Sequence, residues 1–193
     1  SYNNIQISDE INQVLAKLKD AKRPVLYAGN GIRISGAYKS FLNFVKILKI
    51  PVVTCWNSID LIETDNKYYC GRAGIMGDRA GNFAVQNSDL LIVLGSRLNT
   101  YQVGYQPETW ARESFVVYVD IDKNELSKPT VKVNLPVYCD VKSFIDLLCD
   151  NLKTCRIDID AENWLKQCII WKNKYPVVSK KHFEQDGLIN VYA

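Results

Sequence analysis

Five short segments with small, amide, acidic or basic side chains each follow directly after an apolar run. They are Gly29-Asn30-Gly31, Cys55-Trp56-Asn57, Gly95-Ser96-Arg97, Asp120-Ile121-Asp122 and Cys139-Asp140-Val141. Their residue types suit nucleotide chemistry. The guanidinium of Arg97 can hold a phosphate through two hydrogen bonds, and Asp120 or Asp140 can accept hydrogen bonds from ribose or amide groups. If the apolar runs are parallel strands, the five segments meet at one edge of the sheet, which predicts a nucleotide-type crevice.

Each of these signals also has a second interpretation. The run Gly29-x-Gly31 lacks the third glycine of a dinucleotide fingerprint, because position 34 is Ile, and both glycines can equally serve tight strand-to-helix turns. Asp120 and Asp122 can instead cap the helix that follows them. Arg97 comes after a fully apolar strand, which indicates either a ligand contact or a domain-interface pair.

The sequence contains no recognisable catalytic constellation. There is no Gly-x-Ser-x-Gly elbow and no Gly-Lys-Ser/Thr loop, and no Cys or Ser is paired by pattern with His182, the sole histidine. Gly77-Asp78 is followed by Arg79 rather than by the glycine of a diphosphate–magnesium motif. We therefore predict no catalytic and no metal-ligating residue, and a supporting domain without chemistry of its own.

The apolar runs alternate with segments of helical periodicity. Strands are predicted at 24–28, 51–54, 90–94, 115–119 and 136–139, and helices at 8–20, 36–48, 80–87, 141–152 and 161–174. Ser8 and Ser35 are the predicted N-caps of the first two helices. The stretch 56–77 has no clear period and is predicted to be a loop. This alternation predicts an α/β fold, a doubly wound, mainly parallel sheet with helices on both faces.

Composition excludes several classes of protein. The 193 residues carry a net charge of +3 with no large Lys/Arg cluster, so nucleic acid and acidic membranes are not predicted as partners. No apolar run approaches the ~18 residues of a membrane-spanning helix, and the first residues lack a signal-peptide pattern. The six cysteines are scattered, which predicts free thiols in the core. We expect a cytoplasmic protein.

The character of the chain changes after Thr154. Residues 1–153 are predicted to form one domain. Residues 154–193 contain an amphipathic helix that ends at Tyr175-Pro176, and we predict that they are a linker helix and the start of a neighbouring domain.

Five stretches of the chain form a recognisable set. They are Pro24-Val-Leu-Tyr-Ala-Gly-Asn-Gly31, Ile50-Pro-Val-Val-Thr54, Gly81-Asn-Phe-Ala-Val-Gln-Asn-Ser-Asp89, Leu90-Leu-Ile-Val-Leu-Gly-Ser-Arg-Leu98 and Val119-Asp-Ile-Asp122. Together they resemble the central domain of thiamine-diphosphate-dependent enzymes, especially acetolactate synthase-like ones, over residues 8–152. The resemblance implies a six-stranded parallel sheet, and the tail around 171–176 resembles the linker into that family's diphosphate-binding domain.

In that family the other two domains carry catalysis and hold thiamine diphosphate and magnesium. The resemblance therefore implies a full-length enzyme that decarboxylates a 2-keto acid and passes the acyl unit onward, forms a homo-oligomer, and uses this chain as an inactive scaffold. Its partners would be the other domains of the same polypeptide. The alternative is a stand-alone nucleotide-binding sensor or regulatory module of sirtuin-like topology.

In acetolactate synthases the central domain holds FAD in a structural role. The positions that match that family's FAD contacts are the predicted cofactor-binding residues: Gly29, Gly31, Cys55, Trp56, Gly74, Ile75, Met76, Gly95, Arg97, Asp120, Ile121, Asp140 and Val141. Flavin-binding members usually have an acidic residue and a second Arg where this chain has Asn99 and Tyr101. We therefore expect the crevice to admit an adenine nucleotide weakly and not to retain FAD.

Overall fold

The computed structural model describes residues 7–155, 157–179 and 182. In order, this part contains α1 (Ser8–Asp20), β1 (Pro24–Ala28), α2 (Gly31–Ile34), α3 (Tyr38–Leu48), β2 (Val52–Thr54), β3 (Tyr69–Arg72), α4 (Arg79–Gln86), β4 (Leu90–Leu94), α5 (Thr100–Val103), β5 (Phe115–Asp120), α6 (Lys123–Ser127), β6 (Leu135–Tyr138), α7 (Val141–Cys155) and α8 (Glu162–Lys174). Residues 156, 180–181 and 183–193 of the predicted second segment lie outside the described residues.

The described strands form one six-stranded sheet in the order β3-β2-β1-β4-β5-β6. Every neighbouring pair is parallel, and at the centre Leu26 lies opposite Ile92, which lies opposite Val117. Strands β1 and β4 are buried along their whole length, which explains why their residues are apolar without alternation. The predicted doubly wound α/β fold is confirmed, as is the parallel pairing of the five predicted strands.

Helices cover both faces of this sheet, as predicted. On one face α1, α3 and α7 bury large side chains, among them Phe44 and Phe144. On the other face α4 contributes small side chains such as Ala84, and α8 contributes Trp164 and Cys168. The connection from β3 through α4 into β4 moves the chain across the centre of the sheet, so that the loops after β1 and β4 diverge to opposite sides.

The prediction of a loop over 56–77 is wrong at its end, because β3 forms there as an edge strand beside β2. The strand is short, contains Gly71, and pairs with β2 through an irregular register between Val52 and Thr54. Asp78 holds its end, since the carboxylate accepts hydrogen bonds from the backbone N–H and the guanidinium of Arg72. A short strand with a central glycine leaves little apolar pattern in the sequence.

Both predicted serine N-caps are wrong. Ile7 and Ala37 occupy the N-cap positions of α1 and α3. Ser35 instead ends the one-turn helix α2, where its hydroxyl donates to the carbonyl of Ile32 over 3.1 Å.

All six cysteines are free, and all except Cys155 are buried. The prediction of thiols that serve as small core side chains is therefore confirmed for five of the six. Among the described residues, no helix has the length and apolar character that a membrane span requires.

Helix α4 and strand β3 approach so closely that Gly81 has no room for a side chain. A methyl group at Gly81 would collide with the carbonyl of Arg72, lying 2.5 Å from its carbon. We expect Gly81→Ala to lower the free energy of unfolding by about 3 kcal/mol, because overpacking outweighs the ~1 kcal/mol that alanine gains in a helix.

Urea denaturation measures this change in stability. Gly36→Ala is the control: no atom lies within 4 Å of its added methyl, although φ is +69°, so the expected loss is only about 1 kcal/mol. A Gly81→Ala protein as stable as the unmodified chain would contradict the close packing of α4 on β3.

Candidate functional site

A crevice of about 490 Å³ opens at the carboxyl edge of the sheet, where the loops after β1 and β4 diverge. It is lined by Asn30, Gly31, Ile34, Ser35, Asn57, Gly95, Ser96, Arg97, Asn99, Gln102, Asp120, Ile121, Asp122, Asp140 and Val141. These residues come from the ends of β1, β2, β4, β5 and β6 and from the helices that follow. The sheet thus brings the five predicted strand-end segments to one edge, as the sequence pattern requires.

The floor of the crevice consists of two loops in backbone contact. The N–H of Gly31 donates to the carbonyl of Gly95 over 2.9 Å, and the N–H of Gly29 donates to that of Leu94 over 2.9 Å. A methyl group at Gly31 would lie 2.7 Å from the Cα of Gly95, and one at Gly29 would lie 2.6 Å from the Cα of Ser96. Gly95 itself adopts a φ of +57°, which favours glycine. These glycines therefore serve the tight turns, and Gly31 and Gly95 also face the crevice.

A buried hydrogen-bond chain lies beneath this floor. The thiol of Cys55 donates to the hydroxyl of Ser96 over 3.2 Å, and that hydroxyl donates to Oε1 of Gln102 over 3.0 Å. Oε1 of Gln102 also accepts from the N–H of Asn99 over 3.1 Å, which closes a capping box at the start of α5. Burial raises the pKa of the Cys55 thiol, so this residue is a neutral donor under the loop.

Three carboxylates form the β5–β6 side of the crevice. Oδ1 of Asp122 accepts from the N–H of Asn124, and Oδ1 of Asp140 accepts from the N–H of Lys142, both over 2.9 Å, so each caps a helix. Asp120 differs because it is buried and precedes the helix; its Oδ1 accepts from the N–H of Asp122 over 2.9 Å. Burial raises the pKa of Asp120, with a contribution from Glu125 and Asp122 nearby.

Arg97 is the cation among the residues that line the crevice. Its side chain is 74% exposed, and Nε lies 3.9 Å from Oε1 of Glu125. Lys128 holds the same region, because its ammonium donates to the carbonyl of Arg97 and lies 2.6 Å from Oε2 of Glu125. Arg97 is thus placed at the mouth of the crevice, free to turn toward an anion at modest cost.

The structure brings seven of the thirteen predicted site residues to the wall of this crevice: Gly31, Gly95, Arg97, Asp120, Ile121, Asp140 and Val141. Gly29 and Cys55 lie buried beneath its floor, and half-exposed Trp56 stands outside the wall.

The remaining three predicted residues, Gly74, Ile75 and Met76, form the β3–α4 loop. This loop packs against α5 rather than into the crevice, because the N–H of Ile75 donates to the carbonyl of Tyr101 over 2.8 Å.

Sequence reasoning missed Ser35 and Gln102 as crevice residues. Ser35 enters the wall because α2 is a separate turn of helix between β1 and α3. The spacing of Asn99 and Gln102 is that of an N-cap and its N3 partner, which could have revealed the capping box. Among the described residues, no group of three or more His, Cys, Asp or Glu side chains could hold a metal ion.

Comparison with known proteins agrees with this geometry. Residues 11–148 match the family model described as the central domain of thiamine pyrophosphate enzymes. The acetolactate synthase large subunit of Lactococcus lactis is 32% identical over 168 residues, which cover 87% of this chain and 28% of that protein. The corresponding subunit of Porphyra purpurea is 32% identical over 177 residues, covering 90% of this chain and 30% of that protein.

A third relative is the large subunit of acetolactate synthase isozyme 2 of Escherichia coli, 34% identical over 119 residues, covering 62% of this chain and 22% of that protein. The chain therefore spans less than a third of the length of these relatives. It belongs to the central-domain family of thiamine-pyrophosphate-dependent enzymes and is acetolactate synthase-like within it. The stand-alone sensor of sirtuin-like topology is not favoured.

The buried carboxylate of Asp120 generates a prediction about stability. Its pKa is raised in the folded state, so its ionised form opposes folding above its folded pKa, and this cost disappears as the pH falls toward the ordinary carboxyl range. Asp120→Asn keeps an oxygen for the N–H of Asp122 and removes the charge. We expect it to raise the free energy of unfolding at pH 7 by about 1 kcal/mol, and less as the pH is lowered.

Thermal or urea unfolding between pH 4 and pH 8 checks this prediction. Asp158→Asn, at an exposed position, is the control for loss of one negative charge. A destabilised Asp120→Asn protein at neutral pH would show that the carboxylate is held in its charged form by the fold.

Proposed function

We propose that this chain is the scaffold domain of a full-length enzyme that uses thiamine diphosphate and magnesium to decarboxylate a 2-keto acid and transfer the acyl unit. The observation that carries the proposal is the family match over residues 11–148, supported by relatives named as acetolactate synthase large subunits. The chain's own contribution is structural, and two of its crevice carboxylates, Asp122 and Asp140, are already engaged at helix N-termini. Catalytic groups, cofactor and metal would belong to other domains of the same polypeptide.

The crevice fits an adenine nucleotide better than it fits FAD. Asp120 and Asp140 offer carboxylate oxygens on one wall, Gly31 and Gly95 leave the backbone approachable, and Arg97 stands at the mouth. Toward α5 the lining is neutral, because Asn99 is committed to the capping box. Tyr101 is exposed there and offers no charge. A flavin would find no cation on that side, so we infer a weak site for an adenosine diphosphate-type ligand.

Several exposed apolar side chains lie beyond the carboxyl edge of the sheet, outside the lining of the crevice. Trp56, Ile75, Met76, Tyr101 and Tyr105 all lie in segments beyond the carboxyl ends of the strands. Large apolar side chains concentrated at one edge are typical of a surface that another folded body covers. This surface supports contacts with the other domains of the polypeptide and assembly into an oligomer. The name of the Lactococcus lactis relative, a large subunit, agrees with such an assembly.

The cysteines support a place for the protein in the cytoplasm. All six are free, although five of them are buried among apolar side chains where a disulfide would be protected. Six free thiols in one protein are typical of a reducing compartment.

We expect the 193-residue chain to purify without FAD and to bind ADP weakly through Arg97. Arg97→Ala should weaken ADP binding ten- to a hundredfold, because a hydrogen bond to a charged group contributes about 1.5–3 kcal/mol. The visible spectrum of the freshly purified protein measures bound flavin. Calorimetric titration with FAD and with ADP then measures the two affinities. Arg112→Ala, whose arginine pairs with Glu113 outside the crevice, is the matched control.

A yellow protein with flavin near one per chain would show that Asn99 and Tyr101 do not exclude FAD. If Arg97→Ala and Arg112→Ala lower the affinity for ADP equally, Arg97 does not contact the phosphate.

We also expect the chain by itself neither to bind thiamine diphosphate with magnesium nor to decarboxylate pyruvate. Arg79 stands where the diphosphate–magnesium motif needs glycine. The carboxylate of Asp78 already forms an ion pair with Arg72, with Oδ1 lying 2.7 Å from Nη2. Calorimetry with the cofactor and magnesium, with the full-length enzyme as the positive control, tests this expectation. Saturable binding to the chain alone would refute the assignment of the cofactor to other domains.

A further inference from the structure

Helix α8 is fastened to the edge of the sheet at a defined register. It packs on β3 and α4, and its buried side chains are Trp164 and Cys168. One turn after Cys168, the ammonium of Lys172 donates to the carbonyl of Tyr69 over 2.9 Å and to that of Thr64. This contact fixes which turn of the helix faces which residue of the strand.

That register brings two thiols into the same core cluster. Side chains alternate along β3, so Tyr69 packs in the layer of α3 and Cys70 in the layer of α8. Cys168 lies on the same face of α8 as Lys172, because four residues separate them. Both thiols are completely buried in the same core cluster, and the neighbouring Cys70 together with burial raises the pKa of Cys168 well above its usual range.

Docking of α8 carries two energetic penalties. The indole N–H of Trp164 is buried and has no hydrogen-bond partner among the described residues. Burial also lowers the pKa of Lys172, since its ammonium loses water at the interface. These costs lower the net stability of the docked helix, so we expect α8 to open more readily than the layer of α1, α3 and α7.

We propose that Cys70 and Cys168 form a reversible disulfide that locks α8 onto β3 under oxidising conditions. While α8 is docked, both thiols are shielded from solvent, so they react slowly. When α8 opens, the thiolate of one cysteine attacks a low-molecular-weight disulfide such as oxidised glutathione, forming a mixed disulfide and releasing one glutathione thiolate.

On reclosure, the thiolate of the second cysteine attacks the protein sulfur of the mixed disulfide and releases the second glutathione. The two protein thiols lose two electrons and two protons in total, and one glutathione disulfide is reduced to two thiols. The lock is independent of what the crevice binds. Its effect is to hold the helix that follows the sheet in its docked position.

Trypsin gives a direct assay, because each cysteine lies on its own short peptide. Cleavage after Lys67 and Arg72 releases Tyr68–Arg72, and cleavage after Lys166 and Lys172 releases Gln167–Lys172. The full-length protein is incubated with oxidised glutathione in dilute urea, alkylated, and digested without reduction. We expect mass spectrometry to find these two peptides linked, the link to vanish with dithiothreitol, and the oxidised protein to melt about 5 °C higher.

Three variants test the assignment. Cys168→Ser should abolish the linked peptide, and Cys155→Ser, which removes the exposed thiol, should leave it unchanged. Lys172→Met keeps the apolar stem but removes the two bonds to β3 and its preceding loop, so formation of the link should accelerate severalfold. The proposal is overturned if Cys155 becomes glutathionylated while no Cys70–Cys168 link forms, even in the Lys172→Met protein. It is also overturned if Cys70 or Cys168 forms a disulfide with a different cysteine.

Discussion

The backbone contact between the turn after β1 and the turn after β4 is the constraint on which the site depends. Gly31 and Gly95 touch there through N–H, carbonyl and Cα atoms, with no side chain between them. Because the two turns meet below the edge of the sheet, the helices that leave them diverge above it, and the space between is open. A side chain at either glycine would push the two central strands apart. The backbone contact of Gly31 with Gly95 therefore both completes the packing of the sheet and leaves the crevice above it open.

Charge decides what this opening can hold. The wall near β5 and β6 carries Asp120, Asp122 and Asp140, and the first of these remains buried at a cost to stability. Two of the three carboxylates already serve helix N-termini, which removes the positive ends of those helices as anion sites. Binding of an anion therefore depends on the exposed side chain of Arg97. Hydroxyl or amide groups of a ligand can instead donate to several carboxylate oxygens of the wall. This asymmetry favours a ligand that is a donor at one end and an anion at the other.

How far the sequence predicts such a structure depends on the strength of each local pattern. Leu90–Leu94 is apolar at every position, so its burial, its parallel neighbours and the crevice at the edge that follows it were all predictable. Strand β3 was not, because its order comes from tertiary contacts such as the Asp78 carboxylate on Arg72. The same limit applies to Cys55, which the strand pattern placed near the edge, and to Gly74 and Met76, which the family resemblance placed there. Only packing decides that the thiol lies under the floor and that the loop turns away toward α5.

The two helical layers differ in how firmly they hold, and this difference follows from their side chains. The layer of α1, α3 and α7 buries phenylalanines and long aliphatic residues along helices of 13, 11 and 15 residues. The layer of α4 and α8 has two helices, of 8 and 13 residues, an edge strand held by the carboxylate of Asp78, and aromatic contacts such as Phe83 with Trp171. The core cluster there contains fewer buried residues, and a buried indole lacks a partner among the described residues. Local opening should therefore begin on the α8 side, away from the glycine contact, so the crevice can stay formed while the edge of the sheet moves.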